Sequence, residues 1–260
     1  MIDLFISTGV LVLSAVLLLW LISIVIRDVS IIDMAFSGLI TLVILYSAWV
    51  AGAEGQAATL TQTLVVIWGV RMSVYLIHRN WGHGEDVRYT KLRSWVPEGW
   101  AFNWLSLRQV FLLQGVVIWM LTLPQQIFFA LGPNLSMNAL AWAGVALWAI
   151  GFIFETVGDW QLSRFRADES KRGTILNTGL WRYTRHPNYF GELAQWWGLF
   201  LIAAQVPTAL YAVFGVAIYS WLVVRVTGKA TLEKKMSREK PGYAEYVRTT
   251  SGLIPWFPKQ

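Results

Sequence analysis

Apolar and polar positions divide the chain into seven long apolar runs, at 4–26, 31–50, 64–77, 107–131, 139–162, 189–204 and 209–226. Most approach the twenty or so residues that a helix needs to cross about 30 Å of hydrocarbon. The pattern therefore predicts an all-α polytopic membrane protein with seven transmembrane helices. The first run has no basic segment before it and no small-residue cleavage site, so it reads as a retained helix rather than a signal peptide. No internal repeat, low-complexity tract or linker interrupts the pattern, and one integral membrane domain over 1–260 is expected.

Charge adds an orientation. Basic residues gather in the turn after the first run, the loops 79–103 and 163–185, and the tail beyond 226, while the loops 51–61, 132–138 and 205–208 contain none. Cytoplasmic loops carry the excess of Lys and Arg, which places the N-terminus outside and the C-terminus in the cytoplasm. An odd number of spans requires the same arrangement. The expected location is a bacterial inner membrane, with the polar ends of the helices facing the cytoplasm. Composition agrees: 56% of the 260 residues are hydrophobic and 14% charged, against roughly a quarter charged in soluble domains. Sixteen tryptophans suit aromatic belts at two interfaces. The net charge of +6 lies on loops of one side, so nucleic-acid binding is not expected. The absence of cysteine excludes disulfides and thiolate chemistry, and with only His78, His83 and His186 no metal site is expected.

Several runs contain groups that are costly in lipid without a partner. Asp33 enters the second run. Arg71 and Tyr75 are four apart in the third, and Glu155 and Asp159 repeat that spacing in the fifth, with Arg166 continuing their face. In the stretch 180–198, LWRYTRHPNYFGELAQWWG, Pro187 suits the first turn of a helix. Asn188, Glu192, Gln195 and Trp196 then share one helical face. Arg225, Lys229 and Glu233 follow at four-residue steps. These groups predict a mixed-sign cavity open to the cytoplasm, against the simpler alternative of ion pairs such as Arg71 with Asp33. Arg88, Arg93, Arg164, Arg166, Arg172, Arg182 and Arg185 suit an anionic, phosphate-bearing cofactor. An apolar interior suits a lipid or sterol. Neither a Rossmann nor a P-loop fingerprint is present, so a nucleotide would need a helix-built site.

The stretch 180–198, the EDVRY run at 85–89 and the ending LEKKM…PGYAEY…SGLIPWFP resemble the steroid 5α-reductase family, especially its short bacterial members. RHPxY is also found in isoprenylcysteine and phospholipid methyltransferases; Asn188, Gly191, Glu192 and Asp159 favour the reductases. The resemblance implies seven helices, NADPH bound at the cytoplasmic side and reduction of the C4–C5 double bond of 3-oxo-Δ4-steroids. Carried over by position, it implies cofactor contacts from Asp159, Arg166, Asn188 and Glu192, and also from Arg88, Glu155, Lys229 and Glu233. Arg182, in the basic loop, joins them as a phosphate partner. Residues 151–258 would then carry most of the cofactor site. The family's active-site carboxylate falls closest to Asp33. Where eukaryotic members have a proton-donating tyrosine this chain has Trp68, with Tyr75 two turns on, and Glu155 replaces an asparagine. Asp33, Tyr75 and Arg71 are therefore the catalytic candidates of an NADPH-dependent enone reductase acting on a steroid-like lipid. An S-adenosylmethionine-dependent lipid methyltransferase is the alternative.

Overall fold

A computed structural model describes residues 1–82, 84–226 and 229–259, and every regular element among them is helical. His83, and Thr227 and Gly228 at the start of the tail, lie outside the described residues. The elements are α1 (Ile2–Ile26), α2 (Ile31–Ala51), α3 (Gln56–Asn80), α4 (Val87–Arg93), α5 (Trp100–Ser106), α6 (Leu113–Leu131), α7 (Ala139–Ala167), α8 (Pro187–Ala203), α9 (Val213–Trp221), α10 (Lys229–Glu239) and α11 (Tyr243–Thr249). A π-turn at Leu107–Leu112 joins α5 to α6, and another at Leu222–Val226 follows α9. Among the described residues, six stretches are long and apolar enough to cross a membrane: Ile2–Ile26, Ile31–Ala51, Gln56–Asn80, Trp100–Leu131, Ala139–Ala167 and Pro207–Val226. The remaining expected span forms α8, whose 17 residues make it shorter than these six. The third helix starts earlier than its apolar run, because the polar residues ahead of Leu64 find partners on their own helix and the turn before it. Gln62 donates to the Ala53 and Ala58 carbonyls, and Thr61 to that of Ala57.

The chain forms two compact units, Met1–Asn138 with Ala203–Gly215, and Ala139–Ile202 with Val216–Gln260. In the first, α2 packs against α1, α3 and α6 and is its central helix. Ile32, Ile40, Val43, Ile44 and Ala48 bury one side of α2, while Leu42, Trp49 and Val50 stay exposed. A continuous buried stripe with apolar exposure elsewhere suits a helix with protein on one side and acyl chains on the other. Small residues bring α2 and α3 together: Ser37 and Ser73 share a hydrogen bond of 2.9 Å, and Gly69 leaves room for Thr41.

The second unit is built on a closer helix pair. Gly144, Gly151 and Gly158 recur every seven residues on α7, opposite Gly191 and Gly198 of α8. A Cβ on Gly151 would lie 2.5 Å from the Gly191 carbonyl oxygen and 2.8 Å from the Gln195 nitrogen. Small residues at such crossings let helix backbones approach, which is a main source of helix association in lipid. Close approach also puts short side chains such as Asp159 and Asn188 within reach of each other. Gly151→Ala would gain helix propensity of about 1 kcal/mol, yet its methyl meets backbone that has no room to move. Overpacking of this kind typically costs about 1–3 kcal/mol, so we expect a lower apparent melting temperature for the detergent-purified variant. An unchanged or higher value would show that the two helices part freely.

Candidate functional site

The first polar centre forms around Asp33, in the opening turn of α2. Its partners arrive because a distant loop is pinned over the α1–α2 turn. Arg27 closes α1 in the left-handed conformation (φ 55°), and Asp28 accepts from the Ser30 amide at 2.8 Å. The Val29 amide then donates to Glu85, and the Asp86 amide donates to the Ser30 hydroxyl at 2.7 Å. Asp86 also caps α4 by accepting from the Arg88 amide at 2.8 Å. With α4 held there, Arg88 pairs with one oxygen of Asp33 at 2.6 Å and the Tyr89 hydroxyl donates to the other at 2.7 Å. From α6, just past the π-turn, the Gln114 amide donates to Asp33 at 3.2 Å and reaches the Tyr89 hydroxyl at 3.4 Å. A π-turn shifts the face that a helix presents, and such turns recur at functional sites. Because Asp33 accepts, the amide nitrogen must face it, which leaves the Gln114 carbonyl oxygen buried without a hydrogen-bond partner. Burial first, and then the Asp33 carboxylate, raise the pKa of the Tyr89 phenol, so it remains a hydrogen-bond donor through the physiological range.

Asp33, Arg71 and Tyr75, grouped as catalytic candidates by the sequence, do not meet through hydrogen bonds. Among the described residues, the hydrogen bonds of Asp33 go to Arg88, Tyr89 and Gln114, and none to Arg71 or Tyr75. The Tyr75 ring lies beneath Arg79, 5.6 Å from its guanidinium carbon, and Arg71 donates to the Met72 sulfur. Arg71 and Tyr75 do share a helix face, but the pinned EDVRY loop supplies the cation and phenol that Asp33 meets. The sequence pattern alone singles out neither Tyr89 nor Gln114 as a partner of Asp33. An amide inside an apolar run is the available signal for Gln114, and Gln109, Gln125 and Gln126 of the same run share it.

The second centre lies between α7 and α8. Glu155 and Asp159 are buried, and each meets one residue of the α8 polar face. Gln195 donates to Glu155 at 2.7 Å, and Asn188 to Asp159 at 3.2 Å. Glu192 accepts from the Tyr219 hydroxyl. The Asn188 carbonyl oxygen is buried without a partner, and so is that of Gln195. Arg166 and Arg182 are exposed, and neither side chain hydrogen-bonds to a described residue. The set thus offers buried acceptors for hydroxyl or amide groups, with two free guanidinium groups for phosphates. Those are the functions a dinucleotide needs, so the residues fit NADPH.

The third feature is a clamp on the tail. Arg185, only 8% exposed, pairs with Glu233 at 2.8 Å and donates to the carbonyls of Val247 and Thr250. His186 meets the same Glu233 oxygen at 3.1 Å. Around this centre the Arg185 amide donates to Ser251, the Thr184 hydroxyl to Leu253, and the Trp256 amide to Tyr183. Lys229 lies against Gly252. Glu233 and Lys229, expected at a cofactor, thus sit where the tail folds onto the RHPNY loop. Burial works to raise the pKa of Glu233, but the hydrogen bonds from His186 and Arg185 and their charges hold it at about 2.

A family model described as "Protein of unknown function (DUF1295)" matches residues 19–250. An uncharacterized protein of Schizosaccharomyces pombe is 26% identical over 216 residues, which cover 74% of this chain and 61% of that protein. Two proteins named 3-oxo-5-alpha-steroid 4-dehydrogenase 1 are each 32% identical. The Mus musculus protein aligns over 114 residues, 44% of this chain and 41% of its own length. The Rattus norvegicus protein aligns over 113 residues, 44% and 40%. The chain therefore spans about three fifths of the first relative and two fifths of the other two. No solved structure matches.

Proposed function

The chain belongs to the DUF1295 family, and from that premise we propose that it is a membrane oxidoreductase that reduces the C4–C5 double bond of a 3-oxo-Δ4-steroid or a similar enone lipid with NADPH. The observation that carries the reading is the Asp33–Tyr89 pair, supported by the similarity to the two dehydrogenases. NADPH, when bound, supplies a hydride. Conjugate reduction then builds negative charge on the substrate carbonyl oxygen, and a donor aimed at that oxygen stabilises it as an oxyanion hole does. Tyr89 fits this role: its hydroxyl can turn from Asp33 to the substrate, because Arg88 and Gln114 still hold the carboxylate. Methyl transfer from S-adenosylmethionine to a carboxylate or an amine builds no such oxyanion and needs no such donor, which weighs against the methyltransferase alternative.

In this reading Asn188, Asp159, Glu192 and Glu155 hold the polar parts of the cofactor, and Arg166 and Arg182 meet its phosphates. Asn188→Ala removes an acceptor and leaves Asp159 with one donor fewer. A hydrogen bond of this kind is worth about 1–1.5 kcal/mol, roughly tenfold in affinity. We expect that weakening for NADPH in a thermal-shift titration of detergent-purified protein, and no response to S-adenosylmethionine. Parental NADPH affinity would make the α8 polar face structural, and a response to S-adenosylmethionine alone would favour methyl transfer.

The reading includes α8 as a seventh span, since a helix of 17 residues can cross where the bilayer thins around it. It places the N-terminus outside and the C-terminus in the cytoplasm of a bacterial inner membrane. Reporters fused at Glu54, Asn134 and Gln205 should then read as external, and those at Lys91, Lys171 and Lys259 as cytoplasmic. A cytoplasmic signal at Gln205 together with an external one at Lys259 would remove α8 from the spans.

A further inference from the structure

The cleft beyond the end of α7 is lined by none of the residues to which the reductase reading gives a role. At 29 residues, α7 is about 43 Å long, well beyond the hydrocarbon thickness, so its last turns lie at headgroup level. There the chain folds back. Asp168 accepts from the Ser170 amide and pairs with Lys171 at 3.1 Å, and Gln161 accepts from the Leu180 amide at 3.1 Å. The fold encloses a cleft of about 750 Å³ lined by Trp160, Arg164, Phe165, Lys171, Ile175 and Asn177, among others. At 100° per residue, Trp160 lies about 100–120° and Arg164 about 140–160° around the helix from Asp159 and Arg166, so this cleft is separate from the cofactor face of the same helix.

Its chemistry is two-sided. The Arg164 guanidinium lies 5.4 Å over the Trp160 ring and donates no hydrogen bond to any described residue. Lys171 already has a carboxylate, which leaves Arg164 as an unmatched cation with a planar fork suited to phosphate oxygens. Trp160 is 56% exposed at the depth of an aromatic belt, and Phe165, Ile175 and Leu176 continue the lining as apolar surface. A free anion needs only the guanidinium. A polar pocket that opens beside bilayer-facing aromatic surface suits a phosphate carrying acyl chains. We propose that this cleft binds the phosphate headgroup of an anionic phospholipid from the surrounding leaflet, with Arg164 on the phosphate and Trp160 beside the glycerol.

The test is native mass spectrometry of the full chain in detergent, titrated with phosphatidylglycerol, phosphatidylcholine, inorganic phosphate or NADPH. Phosphatidylglycerol should bind in preference to phosphatidylcholine, and about tenfold more weakly to Arg164→Gln, the loss expected for one charge-assisted contact. Inorganic phosphate and NADPH should not displace it. Equal binding of phosphatidylglycerol by parent and Arg164→Gln would overturn the proposal. Displacement by inorganic phosphate would make this a free-anion site, and displacement by NADPH would make it part of the cofactor site; either also overturns it. Arg164 is exposed and the variant is expected to fold. If it does not, Trp160→Leu replaces it under the same criteria. NADPH affinity in Arg164→Gln should stay parental, which separates failure here from failure of the reductase reading.

Discussion

Asp33→Asn is expected to slow single-turnover oxidation of bound NADPH by a 3-oxo-Δ4-steroid about a hundredfold to ten-thousandfold, the range typical for loss of one positioned acid–base group. NADPH affinity should not change. The substitution keeps the side-chain shape but removes the charge that Arg88 meets at 2.6 Å and turns one acceptor into a donor. An amide that presents its nitrogen to the Tyr89 hydroxyl reverses the hydrogen bond that now orients the phenol. An amide that presents its oxygen leaves Arg88 facing an N–H group. In either rotamer the phenol or the cation loses its place. Tyr89→Phe should fall in the same range, since it deletes the donor itself. Tyr75→Phe is the comparison, because that ring lies under Arg79. A deficit there equal to that of Tyr89→Phe would return the donor role to Tyr75. Near-parental rates in both Asp33→Asn and Tyr89→Phe would remove the first polar centre from the reaction.

Arg185→Gln should release the tail. The guanidinium is buried and serves Glu233 and two backbone carbonyls, so its loss strands three acceptors at once. Removing one partner of a buried ion pair typically costs about 3–5 kcal/mol. The lower end applies, because Glu233 keeps a fifth of its side chain in solvent. We expect a lower apparent melting temperature and fast proteolysis after residue 228, while α1 to α3 stay protected; parental cleavage rates would show that the clamp is not what holds the tail. The same cluster predicts a pH dependence. Burial lowers the pKa of His186 from its ordinary 6.5 more than Glu233 raises it, and Glu233 itself is held at about 2. Both folded values lie below the unfolded ones, so the unfolded chain binds more protons and stability falls as pH falls. The His186 share is complete above about pH 6.5 and lost below it; the Glu233 share is complete above about 4.5 and fades toward 2. His186→Asn should therefore flatten the decline in melting temperature between pH 7 and 5, leaving the steeper loss at lower pH.

By itself the sequence determined whatever depends on one helix at a time. Run length and hydropathy marked seven stretches, of which six are apolar membrane-length helices among the described residues, since burying backbone polar groups in lipid leaves a long apolar segment little choice but a helix. The 3.6-residue period likewise placed Asn188, Glu192 and Gln195 on one face, and Glu155 with Asp159 on another, without knowledge of their neighbours. Which faces meet was not legible in the same way. The approach of α7 to α8 depends on glycines at seven-residue steps on two separate helices, and only their contact shows that the steps are in register. The partner of Asp33 was decided further away still, by Glu85 and Asp86 seizing the α1–α2 turn and so delivering Arg88 and Tyr89. Spacing along α3 favoured Arg71 and Tyr75, but a loop hydrogen-bonded to a turn more than fifty residues earlier overrides spacing, because it fixes position in space rather than along a helix. Arg185 differs for the same reason. In sequence it is one more cation in a basic loop; once the tail folds over it, water is excluded, its charge has to be matched, and the residue becomes part of the packing.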